Sequence, residues 1–504
     1  MKSVFLLPPI SRVAATRFGA LVSTFALILL SGCGGDDSAN NLPIAPLPVA
    51  NRAQQDLQGV ASFLERYHPM LADESLRAAF ITRSNEVIRG LDGKPDAAEW
   101  EVQRAMLQLI APLNDFHVQV TGPVFQPSSV RSDYFPLAVR AIGGRLFTDG
   151  ATAAVPHGSE IASINSVTVS SILAALESTV SADSTALSVR QTIADAEFAR
   201  RYHQNFGFAS EYVIGFVSAI PTARVQGVTF ANLPQERQTQ PRWIRNLTPE
   251  ARFPQAKTLA NGVAYLSLPT FGIADRDAYF VALDAARASA KDPVNALIID
   301  LRGNTGGFRD FAFPILNALT LTPYAQYRGS GVRERQIDSI HANNVKPLLA
   351  NLPIDAALAG FPSTRSTGGL YWIDGDTLAS QMKPSAPHFA GRIIVLTDGL
   401  VASAATQMMA ALVAVRPDTV IIGEETAGHC ARHTGDVPMV YQSTNFAIAL
   451  AISLARIDLA SDSRRCSTTG GFKPDIAVTP TAEAVLANDD LVLKRALTVA
   501  LAQN

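Results

Sequence analysis

Two strand-to-turn motifs in the second half of the chain carry residue types that could do chemistry. In Arg392-Ile-Ile-Val-Leu-Thr-Asp-Gly-Leu-Val-Ala-Ser403-Ala-Ala-Thr406, a serine stands where an apolar strand gives way to the apolar run QMMAALVAV. A hydroxyl at a helix N-terminus lies beside unpaired N–H groups and the positive end of the helix dipole, which favours a developing anion. A serine there is equally the ordinary N-cap. The second motif, Asn295-Ala-Leu-Ile-Ile-Asp-Leu-Arg-Gly-Asn-Thr-Gly-Gly307, runs an apolar strand into a glycine-rich loop that opens a helix at Phe308. Such a loop turns sharply and exposes backbone N–H groups, which suits an anion or oxyanion. The chain has no GxxxxGK[ST] and no correctly spaced GxGxxG, which argues against a nucleotide phosphate. It also has no GxSxG, so the nucleophile elbow of α/β-hydrolases is absent from the sequence.

The surrounding text supplies elements to position these motifs. From Val263 onward, VAYLSL, NALIIDL, GRIIVLT and TVIIGE alternate with helical stretches near 275–290, 308–320 and 403–414, followed by FAIALAISLA. Continuous apolar strands between helices predict an α/β core with both sheet faces covered. From Arg52 to about Pro112 the text reads helical, with Leu57, Val60, Phe63 and Leu64 at helical spacing, and Val102, Ala105, Met106, Leu109 and Ile110 likewise. Between about Tyr134 and Phe230, short apolar runs alternate with Gly, Pro and Asn. Within that stretch HGSEIASIN, followed by VSSILAAL, resembles the strand-turn-helix of a PDZ-type module, whose sheet edge would accept an extended peptide. A plain mixed α/β module reads equally well. The expected organisation is 1–32 signal, 33–50 tether, 51–125 helical region, 126–245 PDZ-like or mixed module, and 246–504 α/β core.

Composition narrows the classes further. The 504 residues carry 42 Lys and Arg against 44 Asp and Glu, a formal charge of −2, which leaves no electrostatic footprint for nucleic acid. Only three cysteines occur and no CxxC pair is present, so neither a disulfide scaffold nor a zinc-ribbon site is expected. No metal or organic cofactor is called for. At the N-terminus, Lys2, Arg12 and Arg17 precede the apolar run from Phe18 to Leu30, and no acidic residue comes before Asp36. The run is shorter than the roughly 18 residues of a spanning helix and reads as an export signal. It ends in Leu30-Ser31-Gly32-Cys33, which resembles a bacterial lipobox; the resemblance implies that Cys33 is acylated and becomes the first mature residue. Gly34 is not the aspartate that retains such proteins at the inner membrane, so an outer-membrane anchor facing the periplasm is expected. The small, polar, Pro-rich segment 34–50 would be its tether.

Taken together, LIIDLRGNTGG, VLTDGLVASAAT, IIGEETAG at 421–428 and GGFKPDIAVTP at 470–480 resemble the C-terminal-processing, or tail-specific, serine peptidases, with the tricorn core as a relative. The resemblance spans about residues 52–500. It implies a spiral ββα core of the crotonase and Clp-protease type, a polypeptide substrate, Ser403 as nucleophile, and an oxyanion site at the N–H of Gly306 or Gly307 together with that of Ala404. The best-known branch places a lysine base after GExTxG, where this chain has Gly428-His429-Cys430. The tricorn-like branch instead uses a histidine in a D-x-H motif, matched by Asp115-Phe-His117, so the resemblance points to His117 as base, with His429 as the alternative. His68, in YHPML, matches a recurring family sequence and is expected to pack. The family's glutamate three residues after the nucleophile is Thr406 here, and the acid expected upstream of GVxPD is missing, which leaves Asp458 or Asp462 to orient the histidine. Cys430 and Cys466 fall in loops flanking the expected site and, in an exported protein, would form a disulfide. The competing reading is a non-catalytic peptide-binding or scaffold lipoprotein that keeps the fold.

Overall fold

The computed structural model describes residues 50–121, 131–152, 155–232, 253–272, 276–289, 295–348, 353–366, 368–374, 381–460 and 463–502. The expected signal, Cys33 and the expected tether up to residue 49 lie outside them, as does Asp462. Among the described residues no helix is long and apolar enough to cross a membrane.

The anticipated apolar strands build one sheet. Its order is Ile476–Ala477, Val420–Gly423, Arg392–Thr397, Ala296–Asp300, Ala264–Ser267 and Gln255–Thr258, parallel except for the last pairing. Every residue of Ala296–Asp300 is buried, because alternate side chains serve two cores. Leu297 and Ile299 pack with the helices Arg276–Ser289, Arg309–Leu319 and Ala404–Val415. Ala296 and Ile298 face the opposite layer, formed by Ala482–Leu486 and Leu491–Leu501. Two covered faces are why these strands read as unbroken apolar runs. The α/β class is therefore as expected.

FAIALAISLA belongs elsewhere. Its strand, Ala449–Asp458, pairs with Arg432–Gln442 and Gly329–Val332 in a second, antiparallel sheet. The N-terminal helices Arg52–Tyr67, Glu74–Arg89 and Glu99–Ile110 bury Leu57, Val60, Phe63, Leu64, Val102 and Met106 against that sheet rather than against one another alone. The first starts with a capping box between Asn51 and Gln54. The third ends in a 3₁₀ turn and a left-handed Asn114 (φ 46°), and the chain then enters the strand Gln119–Thr121, which adds antiparallel to Ala449–Asp458. His117 thus sits on a short turn pinned at both ends.

The stretch from Val139 to Gln226 forms an antiparallel sheet with the helices Val169–Ser178, Leu187–Ala196 and Phe198–Phe206. The edge strand Val139–Ile142 is fully buried, and the Ala141 N–H donates to Asp195 at 2.5 Å. Arg140, also buried, lies between Asp149 and Asp195. Asp195, on the helix Leu187–Ala196, thus caps one amide of this edge.

Candidate active site

Parallel pairing of Ala296–Asp300 with Arg392–Thr397 sets Asp300 beside Leu396, so the glycine-rich loop and the Ser403 loop leave the sheet side by side. Crevices beyond the carboxyl ends of adjacent parallel strands are where α/β folds bind ligands. Buried Asp398 joins the two loops by accepting the Gly303 and Leu400 N–H groups, each at 3.0 Å. Buried Arg302 anchors the first loop by pairing with buried Asp300 and with half-buried Asp490.

Ser403 has φ 56° and ψ −127°, a region that a non-glycine residue avoids, at a cost of about 1–3 kcal/mol. Its side chain makes no capping bond. Instead Ser403 Oγ lies 2.8 Å from His117 Nε2. The N-cap reading is thereby replaced: a strained turn without a GxSxG sequence holds the hydroxyl toward a histidine. Room for the turn comes from Gly306 (φ 99°), where an added Cβ would lie 2.6 Å from Ser403 Cβ. Thr406, at the family's glutamate position, donates to the Ser403 carbonyl at 2.9 Å.

The oxyanion expectation divides. The Gly306 N–H is already donated to Asn304 Oδ1 at 2.8 Å, so Gly306 serves by its lack of a side chain and not as a donor. Gly307 N–H and Ala404 N–H have no acceptor among the described residues. Gly307 lines the same cleft as Ser403 and Ala404 follows it in the chain, so these amides are the available donors for a developing oxyanion.

Behind His117 stands Asp115. Its Oδ1 is 3.6 Å from His117 Nδ1, and the same oxygen accepts the His117 backbone N–H at 2.7 Å. Oδ2 accepts His68 Nε2–H at 2.8 Å, and the Thr434 hydroxyl bridges both oxygens. Burial favours a neutral Asp115, but the hydrogen bonds from His117 and His68 and the charge these rings can carry overcome it and hold the carboxyl well below the usual range. Burial also opposes a charged His117, yet the adjacent Asp115 carboxylate, with the fields of Asp183 and Asp436, raises its pKa. The His433 ring stacks on His117 at 5.4 Å and is pushed down to about 3 by burial and by His117 itself, so it stays neutral. With the Asp115 carboxylate on its Nδ1 side at 3.6 Å, the tautomer carrying the proton on Nδ1 is the one the local charge favours, and it leaves Nε2 able to accept the Ser403 hydroxyl proton.

Several expectations are corrected. Asp458 is paired with Arg456 at 2.7 Å, and the carboxylate beside His117 is that of Asp115. His429, the alternative base, is not among the residues that line the Ser403 cleft; its Nδ1 accepts the Ala431 N–H at 3.0 Å and it lines a separate cavity of about 500 Å³. Burial, with Arg432 and Arg456 nearby, takes its pKa down to about 4. His68 does more than pack, since it is the second histidine on Asp115. The reading also missed Asp115 itself, although it lies two residues before His117; the signal available was a carboxylate in a tight turn, able to fold back on its neighbour. Cys430 and Cys466 are disulfide-bonded, as anticipated.

The cleft holding Ser403 has a volume of about 790 Å³ and apolar walls that include Phe116, Pro269, Leu400 and Ile452. A second cavity of about 630 Å³ shares Gly307, Gly435 and Pro438 with it, so the groove continues past the free amide. Among the described residues, Asp115, His117 and Asp183 have metal-ligand types within 4.8 Å of one another. Both carboxylates already accept hydrogen bonds from the protein: Asp183 from the Phe116 and His429 amides, and Asp115 as above.

With this geometry in view, sequence and fold comparisons agree. Residues 262–478 match the model of peptidase family S41. That segment contains both the glycine-rich loop and Ser403. The structure of mature CPAF complexed with lactacystin is similar over 89% of this chain and 97% of its own, at 15% identity and a TM-score of 0.57. Mature CPAF alone gives 14%, 89%, 96% and 0.57 for the same measures. The photosystem II D1 C-terminal processing protease matches 87% of this chain and 98% of its own at 14% identity, with a TM-score of 0.38. No curated protein matches the chain.

Proposed function

We propose that this chain is an active serine endopeptidase that cleaves flexible or C-terminal polypeptide segments by a Ser403–His117–Asp115 mechanism. The observation that carries it is the 2.8 Å approach of Ser403 Oγ to His117 Nε2 on a strained turn, with the Gly307 and Ala404 amides as available donors. In this reading Ser403 Oγ attacks the scissile carbonyl carbon while its proton passes to His117 Nε2. The Gly307 and Ala404 amides hold the oxyanion. His117 then returns the proton to the leaving amine, the C–N bond breaks and an acyl-Ser403 ester remains. A water molecule, deprotonated by His117, attacks that ester, and its collapse frees the carboxylic acid and restores Ser403. Asp115 keeps the imidazole in the required tautomer and stabilises the imidazolium. The groove of two joined cavities suits an extended chain.

What supports catalysis over the scaffold alternative is that the apparent losses have substitutes: Asp115 stands in for the missing acid and His117 for the missing lysine. We place the protein in the bacterial envelope, lipid-anchored through Cys33 and facing the periplasm. The charged, apolar and lipobox segments of its N-terminus support this, and so does the Cys430–Cys466 disulfide, since such bonds persist in oxidising compartments. Degradation of unfolded casein tests the function. The wild type should release peptides and Ser403→Ala none; equal release by both would refute the assignment.

A further inference from the structure

The catalytic turn and the nucleophile loop are not held by the peptidase core alone. Segment 180–186, which links the helices Val169–Ser178 and Leu187–Ala196 of the inserted module, runs between them. Ser181 Oγ donates to the Asp115 carbonyl at 2.7 Å and accepts the Asp115 N–H at 3.2 Å. One oxygen of buried Asp183 accepts the Phe116 N–H at 2.8 Å, and the other accepts the His429 N–H at 3.3 Å. Ser184 N–H donates to the Ala427 carbonyl at 2.9 Å, and its hydroxyl donates to Glu425 at 2.6 Å. Val180 and Ala182 are fully buried against Leu400, Ala402 and Ala427. Ser181, Asp183 and Ser184 thus grip the His117 turn on one side and the 425–429 loop on the other, while Val180 and Ala182 pack against the residues that lead into Ser403.

We propose that Asp183 is a positioning residue for His117, and that segment 180–186 is the strap by which the inserted module keeps base and nucleophile in register. This rests on the Ser403–His117 reading above. Asp183 touches neither the serine nor a substrate position; it acts through the amide of Phe116, next to His117, and through its charge. The charged and titratable groups around it are Asp115 and His117 on the turn, and His429 and Arg432 on the far loop and strand. His117 also faces Asp436, which pairs with Arg309, while His68 faces Asp115. Burial and Asp115 bring the Asp183 pKa up to about 7. In its ionised form Asp183 is one of the fields that raise His117, so an uncharged residue there lets His117 lose its proton at lower pH.

The test is labelling of the full chain with a fluorophosphonate across pH 5–9, separating the limiting rate from the probe's apparent affinity. Wild type and Ser403→Ala come first: an unlabelled wild type, or a labelled Ser403→Ala, sinks the serine reading itself. Given labelling at Ser403, Asp183→Asn should label at least tenfold more slowly at saturation, with apparent affinity within twofold and the acid limb moved to lower pH. Slower labelling with an unmoved limb, or an unchanged rate, overturns the proposal. If Asp183→Asn shows no cooperative thermal transition, Asp183→Glu decides. It keeps the charge and displaces the two amide bonds, so more than threefold slowing at unchanged affinity and limb is expected; a smaller change overturns the proposal.

Discussion

Asp115→Asn isolates the group that the site geometry makes most consequential. The substitution keeps shape and one acceptor but removes the charge and turns one oxygen into a donor. Both oxygens now accept, from His117, His68 and Thr434, so whichever position the amide nitrogen takes, it faces a former donor. A full negative charge 3.6 Å from an imidazolium, at an effective dielectric of about 20, is worth about 4–5 kcal/mol. That interaction is absent while His117 is neutral and present once it has taken the Ser403 proton, so it lowers the barrier rather than the ground state. At 1.36 kcal/mol per decade, kcat/KM should fall roughly a thousandfold. The sign of the pH effect follows. Asp115 raises His117, and only the neutral ring can act as base. The wild-type acid limb should therefore lie above the ordinary histidine value of about 6.5, and Asp115→Asn should move it down. The assay is a pH–rate profile on a quenched fluorogenic polypeptide, with the Thr434→Val variant as a check on the hydroxyl bridge. A kcat/KM within tenfold of wild type, with the limb in place, would refute the role given to Asp115. Stability supplies a second reading. A carboxyl depressed in the folded state contributes stability above its unfolded value of about 3.9 and loses it as pH falls, so the stability gap between wild type and variant should narrow in urea melts below about pH 4.

Other consequences are narrower. Gly306→Ala should abolish activity in a chain that still folds, because its Cβ would press on Ser403 at 2.6 Å in a φ region that alanine avoids; circular dichroism paired with the casein assay checks it. Ser403→Gly should be inactive yet more stable than wild type by about 1–3 kcal/mol, since glycine relieves the strained φ; an unchanged or lower melting midpoint would argue against strain. His429→Ala should keep activity within a few fold, whereas His117→Ala should lose it. Replacing both Cys430 and Cys466 with Ala opens a loop of 36 residues and should cost roughly 3–4 kcal/mol in chemical denaturation.

The two strand-to-turn motifs were legible because burial on both faces leaves continuous apolar runs, and because close approach leaves glycines and alanines where the chain turns. Helix boundaries near 276, 309 and 404 followed from the same periodicity. FAIALAISLA was less legible. An apolar strand looks the same in either sheet, and its partners Arg432–Gln442 and Gly329–Val332 are set by tertiary packing. The acid was misplaced for a similar reason. Asp458 and Asp462 were the acids nearest the stretch where the family's acid is missing, while Asp115 stood in plain view, and the left-handed Asn114 and the 3₁₀ turn before it bring its carboxylate back to His117. Nothing in the spacing could reveal that Ser181 and Asp183, some 65 residues further on, hold that turn in place. A backbone amide's partner leaves no mark on its own sequence.

The central claim is that Ser403 is an activated nucleophile, and its most direct measurement is mass-spectrometric mapping of the fluorophosphonate adduct. The account predicts one modified residue, Ser403, with the adduct lost in Ser403→Ala and strongly reduced in His117→Ala. An adduct on another residue, or equal labelling of wild type and His117→Ala, would contradict it.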